Sequence, residues 1–357
     1  MVEIPAELPR RRDPDPARSA RQQSPDARGG QNPRGGTHPR SGYARHYAAL
    51  DLGTNNCRLL IARPQGEGFA VVDAFSRIVR LGEGLASSGR LSDLAIERTI
   101  AALKVCSDKL RRRNVTLARS VATEACRRAA NGQDFIARAY DETGIHLDII
   151  SAEEEARLAV LGCHALLEPG TGHALVFDIG GGSTELVLID TTSTVPTVKD
   201  WHSAPWGVVS LTESAGGGDG AGERAASYAR MRALVRESFA PFAARLPEPG
   251  ERPRLLGTSG TVTTLASVHL ELERYDRAKV DGLIAPAAAM RRISQDLAGM
   301  SLAERARFPC IGRERADLVV AGCAILEGIL DLWPAERLGI ADRGIREGIL
   351  RRLMEAG

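Results

Sequence analysis

The stretch Val176–Asp190, VFDIGGGSTELVLID, decides the fold of this chain. Two apolar runs flank Gly180–Gly182, with Asp178 before the glycines and Glu185 after them. Each run has the length and the branched aliphatic residues of a buried β-strand. A tight hairpin needs only one or two residues with positive φ. Three consecutive glycines therefore indicate that another group approaches the backbone of this turn closely.

The same strand–turn–strand pattern occurs once earlier in the chain. The segment HYAALDLGTNNCRLLIARP, which begins at His46, predicts a strand, the turn Asp51–Asn55 and a second strand. Asp178 follows Asp51 by 127 residues, and each aspartate precedes a Gly and then a hydroxyl residue. The hydroxyl residues are Thr54 in the first turn and Ser183 and Thr184 in the second. A repeat at this distance indicates a duplication at the scale of a domain rather than a short solenoid repeat.

Strand and helix patterns alternate after both turns, as they do in α/β proteins. Helical periodicity follows Ser92 and returns in AEEEARLAVLGCHALL. The closing segments RADLVVAGCAILEGILDLW and IADRGIREGILRRLM are both predicted to be helices, and SAGGGDGAGE, residues 214–223, is predicted to be a flexible loop.

The duplicated turns have the chemistry of a phosphate site. A strand that ends in Asp, followed by Gly and a hydroxyl residue, places unpaired backbone N–H groups around one small concavity that suits phosphate oxygens. The aspartate repels phosphate, but it is suited to a divalent cation that phosphate also binds. Two such hairpins facing each other across a cleft would hold a chain of phosphates from both sides.

Composition sets broad limits on the function. The 357 residues suffice for two domains, and the net charge of +2 argues neither for nor against a polyanionic partner. The six cysteines are scattered without a Cys-x-x-Cys pair, which predicts reduced core residues. No apolar run reaches the roughly 20 residues of a membrane span, and the N-terminus has no apolar signal segment. We therefore expect a cytoplasmic protein without a membrane partner.

Residues 1–45 differ from the rest of the chain. They contain seven of the 18 prolines, nine arginines and five acids, with few large apolar groups. Such a segment cannot bury enough surface to offset the entropy of ordering, so we predict a disordered tail. A basic arm that touches an anionic substrate and a tail without function both remain open.

Three consecutive glutamates near the middle of the chain take different roles. Ser151 and Glu154 have the spacing of a capping box, and Glu153 can pair with Arg157 four residues on. Glu155 faces the apolar stripe of the predicted helix, where a buried carboxylate acquires the raised pKa of a general base. From the residues alone, a solvated acid beside the helix N-terminus is the favoured interpretation.

Six segments in order resemble the exopolyphosphatase / guanosine pentaphosphate phosphohydrolase family of the actin–sugar kinase–Hsp70 superfamily. They are ALDLGTNNCRLLI, ATEACRRAANGQDF, IISAEEEARLAVLG, FDIGGGSTELV, LGTSGTVTTLA and ADRGIREGIL. The resemblance covers residues 46–357 and implies the short form of the family. The implied fold class is α/β, with two RNase H-like (actin-like ATPase) domains and a cleft between them. The implied domains are 46–170 and 171–357, with the last helix packing back toward the first.

The resemblance also implies roles for individual residues. Glu155 matches the catalytic glutamate of the family, and Glu124 is the next candidate for the base. Phosphate contacts are expected from the two turns and from one arginine clamp: Gly53, Thr54, Asn55, Arg127, Gly180, Gly181, Gly182, Ser183 and Thr184. The implied metal ligands are Asp178, Glu185 and, as the duplicate of Asp178, Asp51. The turn in GTSGT, with Gly257, Ser259 and Gly260, is a possible distal contact. For Arg58, a structural ion pair and a phosphate contact both remain open.

The reaction implied by the resemblance is the Mg²⁺- or Mn²⁺-dependent release of orthophosphate from inorganic polyphosphate. Hydrolysis of the 5′ end of guanosine pentaphosphate is the alternative, because both substrates present a terminal phosphoanhydride. A regulatory ATP-binding protein of the actin or Hsp70 kind is the second alternative. We expect a homodimer, and no nucleic-acid partner.

Overall fold

The computed structural model describes residues 45–193, 196–250 and 252–356, which form two mixed β-sheets with helices around them. Except for residue 45, the tail predicted to be disordered lies outside the described residues. The α/β fold class with a cleft is confirmed by the likeness to solved structures given below. The division into domains 46–170 and 171–357 stays a prediction.

The first sheet has five strands in the order β3-β2-β1-β4-β5. Their bounds are β1 His46–Leu52, β2 Asn56–Gln65, β3 Gly68–Ile78, β4 Val115–Ala122 and β5 Asp148–Ile149. The first three strands form an antiparallel meander, and β4 joins β1 in parallel. This register places Asp51 beside Arg58 at the end of the first hairpin.

The second sheet has six strands in the order β10-β11-β9-β6-β7-β8. Their bounds are β6 His173–Ile179, β7 Thr184–Asp190, β8 Thr197–Ala204, β9 Arg254–Thr258, β10 Ile284–Pro286 and β11 Arg337–Ala341. Asp178 lies directly opposite Glu185 on one side and Thr258 on the other. Because directly paired residues share a face of the sheet, these side chains point the same way.

Helices cover the sheets. Their bounds are α1 Leu85–Ser88, α2 Asp93–Arg112, α3 Glu124–Arg128, α4 Gly132–Thr143, α5 Ala152–Cys163, α6 Val208–Ala215, α7 Ala221–Ala243, α8 Gly260–His269, α9 Arg277–Val280, α10 Ala287–Gly299, α11 Leu302–Arg305, α12 Val319–Leu332 and α13 Ile345–Ala356. A 3-10 helix at His164–Leu166 follows α5. Among the described residues, none of the helices combines the length and apolarity needed to span a bilayer.

Two details of the sequence interpretation are wrong. The closing segment was expected to be one helix, but Ile340 and Ala341 belong to β11, and α13 begins only at Ile345. The capping box of α5 is only half formed. The Ser151 hydroxyl accepts from the amide of Glu154 at 3.1 Å, whereas the Glu154 carboxylate pairs with Arg119 at 2.7 Å. A charged partner competes with the weaker bond to a backbone amide.

Helix α13 packs on the first sheet although it follows the second in sequence. Its residues Ile345, Ile349 and Leu350 share a buried cluster with Tyr47 and Leu60 of the first sheet. Glycines allow the backbones of α13 and α5 to come into direct contact. A Cβ atom on Gly348 would lie 2.1 Å from the carbonyl oxygen of Leu158, closer than any side chain allows.

We expect Gly348→Ala to reduce the free energy of unfolding by about 1–3 kcal/mol, because the added methyl group forces two helix backbones apart. Gly222→Ala is the matched control, since Gly222 also lies in a helix and its added Cβ meets no atom within 4 Å. That control is expected to be neutral or more stable by up to about 1 kcal/mol. Equal unfolding midpoints in urea for the two variants would contradict the close approach.

Candidate active site

A cleft opens between the ends of the two hairpins, where the first turn faces the second. Its walls come from six short segments of the chain, at 51–58, 123–124, 178–183, 258–264, 315–319 and 342–346, together with Glu155 and Val208. Backbone groups of the turns form one wall, and the N-terminal ends of α8 and α13 form the other.

The two duplicated turns touch each other. A Cβ atom on Gly181 would lie 2.9 Å from Cβ of Thr54, and one on Gly182 would lie 2.6 Å from its hydroxyl oxygen. On the opposite side, a Cβ atom on Gly207 would lie 2.4 Å from the carbonyl carbon of Gly181. The three consecutive glycines are therefore required by the close packing of neighbouring backbone and side chains on both sides of the turn.

The carbonyl groups of both turns already have donors. In the first turn, the Asn55 carbonyl accepts from the amides of Val79 and Arg80 at 2.9 and 3.0 Å. In the second, the Gly181 carbonyl accepts from the amide of Val209 at 2.8 Å, at the start of α6. Within the described ranges, the amides of Gly181 and Gly182 donate to no backbone acceptor. Free amides beside occupied carbonyls form a concavity suited to an anion.

The third turn of the cleft, in GTSGT, is strained. Ser259 has φ of +89°, a conformation that non-glycine residues rarely adopt. Its hydroxyl donates to the carbonyl of Ile179 at 2.7 Å, which ties this turn to the end of β6. Ser259 and Gly260 line the cleft as expected for a distal contact, whereas Gly257 packs beneath the ring of Phe177. Its position corrects the expectation for Gly257.

Glu185 is a buried carboxylate and Asp178 a half-buried one at the base of the second turn. The Glu185 carboxylate accepts from the hydroxyls of Ser183 and Ser203 at 2.7 and 2.9 Å. Burial raises the pKa of Asp178 to about 6, and the negative charge of Asp51 adds to this effect. Burial likewise raises the pKa of Glu185 to about 7, with a contribution from Asp178. Asp178 lines the cleft, whereas Glu185 lies behind the lining residues.

Asp51 ends the first hairpin in the equivalent place. Its Oδ1 atom is buried and has no hydrogen-bond partner in the described part of the chain. Burial raises the pKa of Asp51, while the positive charges of Arg58 and Arg346 oppose the rise. A buried carboxylate oxygen without a partner is costly unless a cation or a donor completes it.

Glu155 lies at the start of α5 with its side chain turned inward, and only 7% of the residue is exposed. Burial raises its pKa well above the usual range, and repulsion from Glu185 adds to the rise. Arg127 donates to the Glu155 carboxylate from both terminal nitrogens at 3.2 Å, and to Glu124 at 2.6 Å. Arg127 thus holds two carboxylates and is absent from the cleft lining, so its predicted role as a phosphate clamp stays a prediction.

Four arginines line the cleft, and the sequence analysis considered only one of them. They are Arg58, Arg315, Arg343 and Arg346. Arg343 pairs with Asp281 at 2.7 Å, and Arg315 donates to the hydroxyl of Thr264 at 3.3 Å. Burial lowers the pKa of Arg346. Arg343 and Arg346 lie three residues apart in the segment ADRGIREGIL, and this pair of arginines is the sequence feature that could have indicated their place in the cleft.

The remaining predicted residues divide between the cleft and its support. Gly53, Thr54, Asn55, Gly180 and Ser183 line the cleft with the glycines already described. Thr184 does not, because its hydroxyl is buried and donates to the carbonyl of Trp206 at 2.7 Å. This contact corrects the expectation that Thr184 binds phosphate. Glu124 lines the cleft as well.

The acids fit a divalent cation that shares its coordination with a substrate. Asp51 has a buried oxygen without a partner, and the negative charge of Asp51 adds to the raised pKa of Asp178. Both observations indicate that positive charge is missing from the site. Within the described ranges, no three acidic, histidine or cysteine side chains come close enough to hold a cation alone. Mg²⁺ suits this arrangement because it keeps several waters and takes one or two carboxylates plus phosphate oxygens.

Two mixed sheets, hairpin turns that meet at a cleft and amides aimed into it define a phosphate-handling protein of the actin-like ATPase fold. The structure of the Aquifex aeolicus member of the Ppx/GppA family is similar, with a TM-score of 0.71 and 29% identity over 88% of this chain and 99% of that chain. An exopolyphosphatase from Cytophaga hutchinsonii, at 23% identity, has a TM-score of 0.79 over 87% of this chain and 98% of that chain, and it supports the fold alone.

Sequence comparison identifies the family. Residues 60–356 match the profile of the Ppx/GppA phosphatase family. Exopolyphosphatase 2 of Mycobacterium tuberculosis is 33% identical over 316 residues, which are 85% of this chain and 96% of that protein. The chain therefore belongs to the Ppx/GppA phosphatase family, whose members are phosphoanhydride hydrolases.

The raised pKa of Glu185 predicts a change in stability with pH. Because the folded state holds the proton between about pH 4.5 and 7 and the unfolded state loses it, stability falls as pH rises through this window. In chelator-treated protein, we expect the free energy of unfolding of Glu185→Gln to decrease less between pH 5 and pH 8 than that of the wild type, by up to about 3 kcal/mol. Urea unfolding at the two pH values measures this difference.

Glu153→Gln is the control, because it removes a carboxylate from a half-exposed position on α5 and breaks its pair with Arg157. Its unfolding free energy is expected to follow the wild-type dependence on pH. A Glu185→Gln protein with the wild-type slope would show that Glu185 is already ionised in the folded state.

Proposed function

We propose that this protein hydrolyses the terminal phosphoanhydride of inorganic polyphosphate and releases orthophosphate. The observation that carries the proposal is the cleft itself, whose lining combines the free amides of Gly181 and Gly182 with four arginine side chains. Amides hold phosphate oxygens without adding charge, and arginines bind them through paired N–H groups. A chain of phosphates uses both sets of donors at once.

The number of arginines favours a polyanion over a single phosphoryl group. Arg58 lies on β2 of the first hairpin, Arg315 precedes α12, and Arg343 and Arg346 flank the start of α13. Arg58 and Arg346 both lower the pKa of Asp51, so these two positive charges act on the same part of the cleft. A polyanion supplies enough negative charge for all of these cations.

Glu155 is the proposed general base. Its raised pKa makes it a stronger proton acceptor than an ordinary glutamate, and the paired bonds from Arg127 fix its orientation. Water attacks the terminal phosphorus atom and gives its proton to Glu155. The bond from phosphorus to the bridging oxygen breaks, and the shortened chain leaves with the electron pair. The turn amides hold the oxygens of the transferred group, on which charge is spread in such reactions.

Asp51 and Asp178 are the proposed ligands of Mg²⁺ or Mn²⁺, and Glu185 supports them from behind the cleft wall. When bound, such a cation neutralises phosphate charge and polarises the transferred group. The neighbouring side chain of Ser259 lowers the pKa of Asp178 against the larger effect of burial.

Guanosine pentaphosphate and ATP are the alternative substrates, since both end in a phosphoanhydride. Phosphate release should be measured side by side with long-chain polyphosphate, guanosine pentaphosphate and ATP at equal phosphate concentration. We expect the highest kcat/KM with long-chain polyphosphate and a rise with chain length. A preference for guanosine pentaphosphate would reassign the substrate, and release from ATP alone would favour a nucleotide switch. The expected homodimer is tested by light scattering after size exclusion.

Glu155→Gln keeps the shape of the side chain and removes its basicity, so we expect kcat to fall roughly 10²–10⁴-fold. KM should change little, because binding belongs to the turns and arginines. The neighbour Glu154 provides the control, since its carboxylate pairs with Arg119 at the surface. Glu154→Gln should keep its kcat and lose no more than about 1 kcal/mol of stability. If the two variants are equally active, the base is another acid, with Glu124 the next candidate.

Asp178→Ala should abolish activity at low Mg²⁺ and recover part of it at high Mg²⁺, because one cation ligand is missing. Glu185→Ala should also lose activity, yet with a smaller change in the Mg²⁺ concentration needed for half the maximal rate, since Glu185 does not line the cleft. Titrating Mg²⁺ in steady-state assays gives both values. Wild-type Mg²⁺ dependence in both variants would remove these acids from the metal site.

A further inference from the structure

A second polar pocket of about 180 Å³ lies outside the cleft. It is enclosed by the end of α6, the glycine-rich loop Gly216–Gly218, the start of α7, and Arg305 at the end of α11. We call it the Arg305 pocket. None of the family motifs quoted above contributes to it, and the proposed function does not use it.

Arg305 is the feature of this pocket that needs an explanation. Only 8% of the residue is exposed, and its Nε atom is buried with no hydrogen-bond partner in the described part of the chain. Burial lowers its pKa, and the negative charge of Asp219 opposes this effect. A guanidinium group stays ionised in proteins, so an incompletely bonded buried arginine is costly unless something completes its bonds.

The acids that face Arg305 have other partners. The Asp317 carboxylate accepts from Arg80 through both of its oxygens, at 3.0 and 3.3 Å. The Asp219 carboxylate accepts from the amide of Leu302 at 2.9 Å. The second arginine of the pocket, Arg224, donates to backbone carbonyls, including that of Gly299 at 2.9 Å. Arg80 therefore engages Asp317, and Asp219 is the nearest acid left to oppose the positive charge of Arg305.

The two hydroxyl side chains of the pocket offer no spare hydrogen. The Ser227 hydroxyl donates to the carbonyl of Ala215 at 2.7 Å, and the Thr212 hydroxyl donates to the carbonyl of Val208 at 2.6 Å. The guanidinium group of Arg305 is thus the main donor into the pocket. A ligand must accept hydrogen bonds and carry negative charge, and the pocket suits one small group.

We propose that the Arg305 pocket binds a single tetrahedral oxyanion of the phosphate class, with the guanidinium of Arg305 as its principal donor. Free orthophosphate and the terminal phosphoryl group of a longer phosphate compound share this chemistry. The site is separate from the cleft, although the two share a wall. Arg315 and Leu318 line the cleft, whereas Asp317 and Val320 line the Arg305 pocket.

The experiment compares the wild type with Arg305→Met and Arg307→Met by calorimetric titration with orthophosphate in chloride buffer containing a chelator. Arg307 is exposed and two residues away, so its variant removes the same charge without touching the pocket. We expect Arg305→Met to bind one equivalent of orthophosphate fewer than the other two proteins. Equal stoichiometry and affinity in all three would overturn the proposal and leave a pocket filled by water.

Hydrogen exchange of the wild type tests the site without any variant. Orthophosphate should slow amide exchange in residues 212–224, beyond its effect on the cleft turns at 53–55 and 180–183. Protection confined to the cleft turns would also overturn the proposal, even if Arg305→Met fails to fold. A parallel titration with tripolyphosphate distinguishes the sources: protection of 212–224 by both ligands indicates a terminal phosphoryl group, and protection by orthophosphate alone indicates the free ion.

Discussion

The packing of the second turn against Thr54 and Gly207 is the constraint on which the site depends. Gly181 and Gly182 have no room for a side chain on the face that meets Thr54, and Gly207 has none on the face that meets Gly181. Because the carbonyls of both turns are bonded away from the gap, their free amides are left to face it. One close contact thus sets both the shape of the cleft and its affinity for anions.

The same closeness explains the electrostatics of the site. Each turn follows an aspartate, so bringing the turns together also brings Asp51 and Asp178 together and adds to the raised pKa of Asp178. Glu155 and Glu185 enlarge this buried acidic group, with Arg127 holding Glu155 and two serines holding Glu185. So many acids close together are costly without compensating positive charge, and groups with such raised pKa values cluster at functional sites.

Secondary elements outside the motifs keep the turns in place. Helix α6 begins with amides that bond to the carbonyls of Gly180 and Gly181 and ends beside the Arg305 pocket. Helix α13 crosses to the first sheet and carries Arg346 into the cleft. Arg80 follows β3, and its amide donates to the carbonyl of Asn55 in the first turn. The side chain of Arg80 forms an ion pair with Asp317, in the segment before α12, and so links that segment to the first turn. The cleft is therefore held from several sides, and loop residues supply about half of its lining.

The amino-acid sequence predicted the two strand–turn–strand segments and the α/β class, because these follow from local periodicity and from glycine, aspartate and hydroxyl residues at short spacing. The sequence also located Ser259 and Gly260 in a turn. For Glu155 the residues alone favoured a solvated acid, whereas the structure buries its side chain. Only the tertiary structure decided which groups meet. Arg127 pairs with Glu155, Glu154 prefers Arg119 to its capping amide, Thr184 turns to Trp206, and four arginines from distant segments share one cleft. Periodicity fixes the face on which a side chain lies, whereas its partner depends on contacts between segments far apart in sequence, and those contacts exist only once the two sheets have packed.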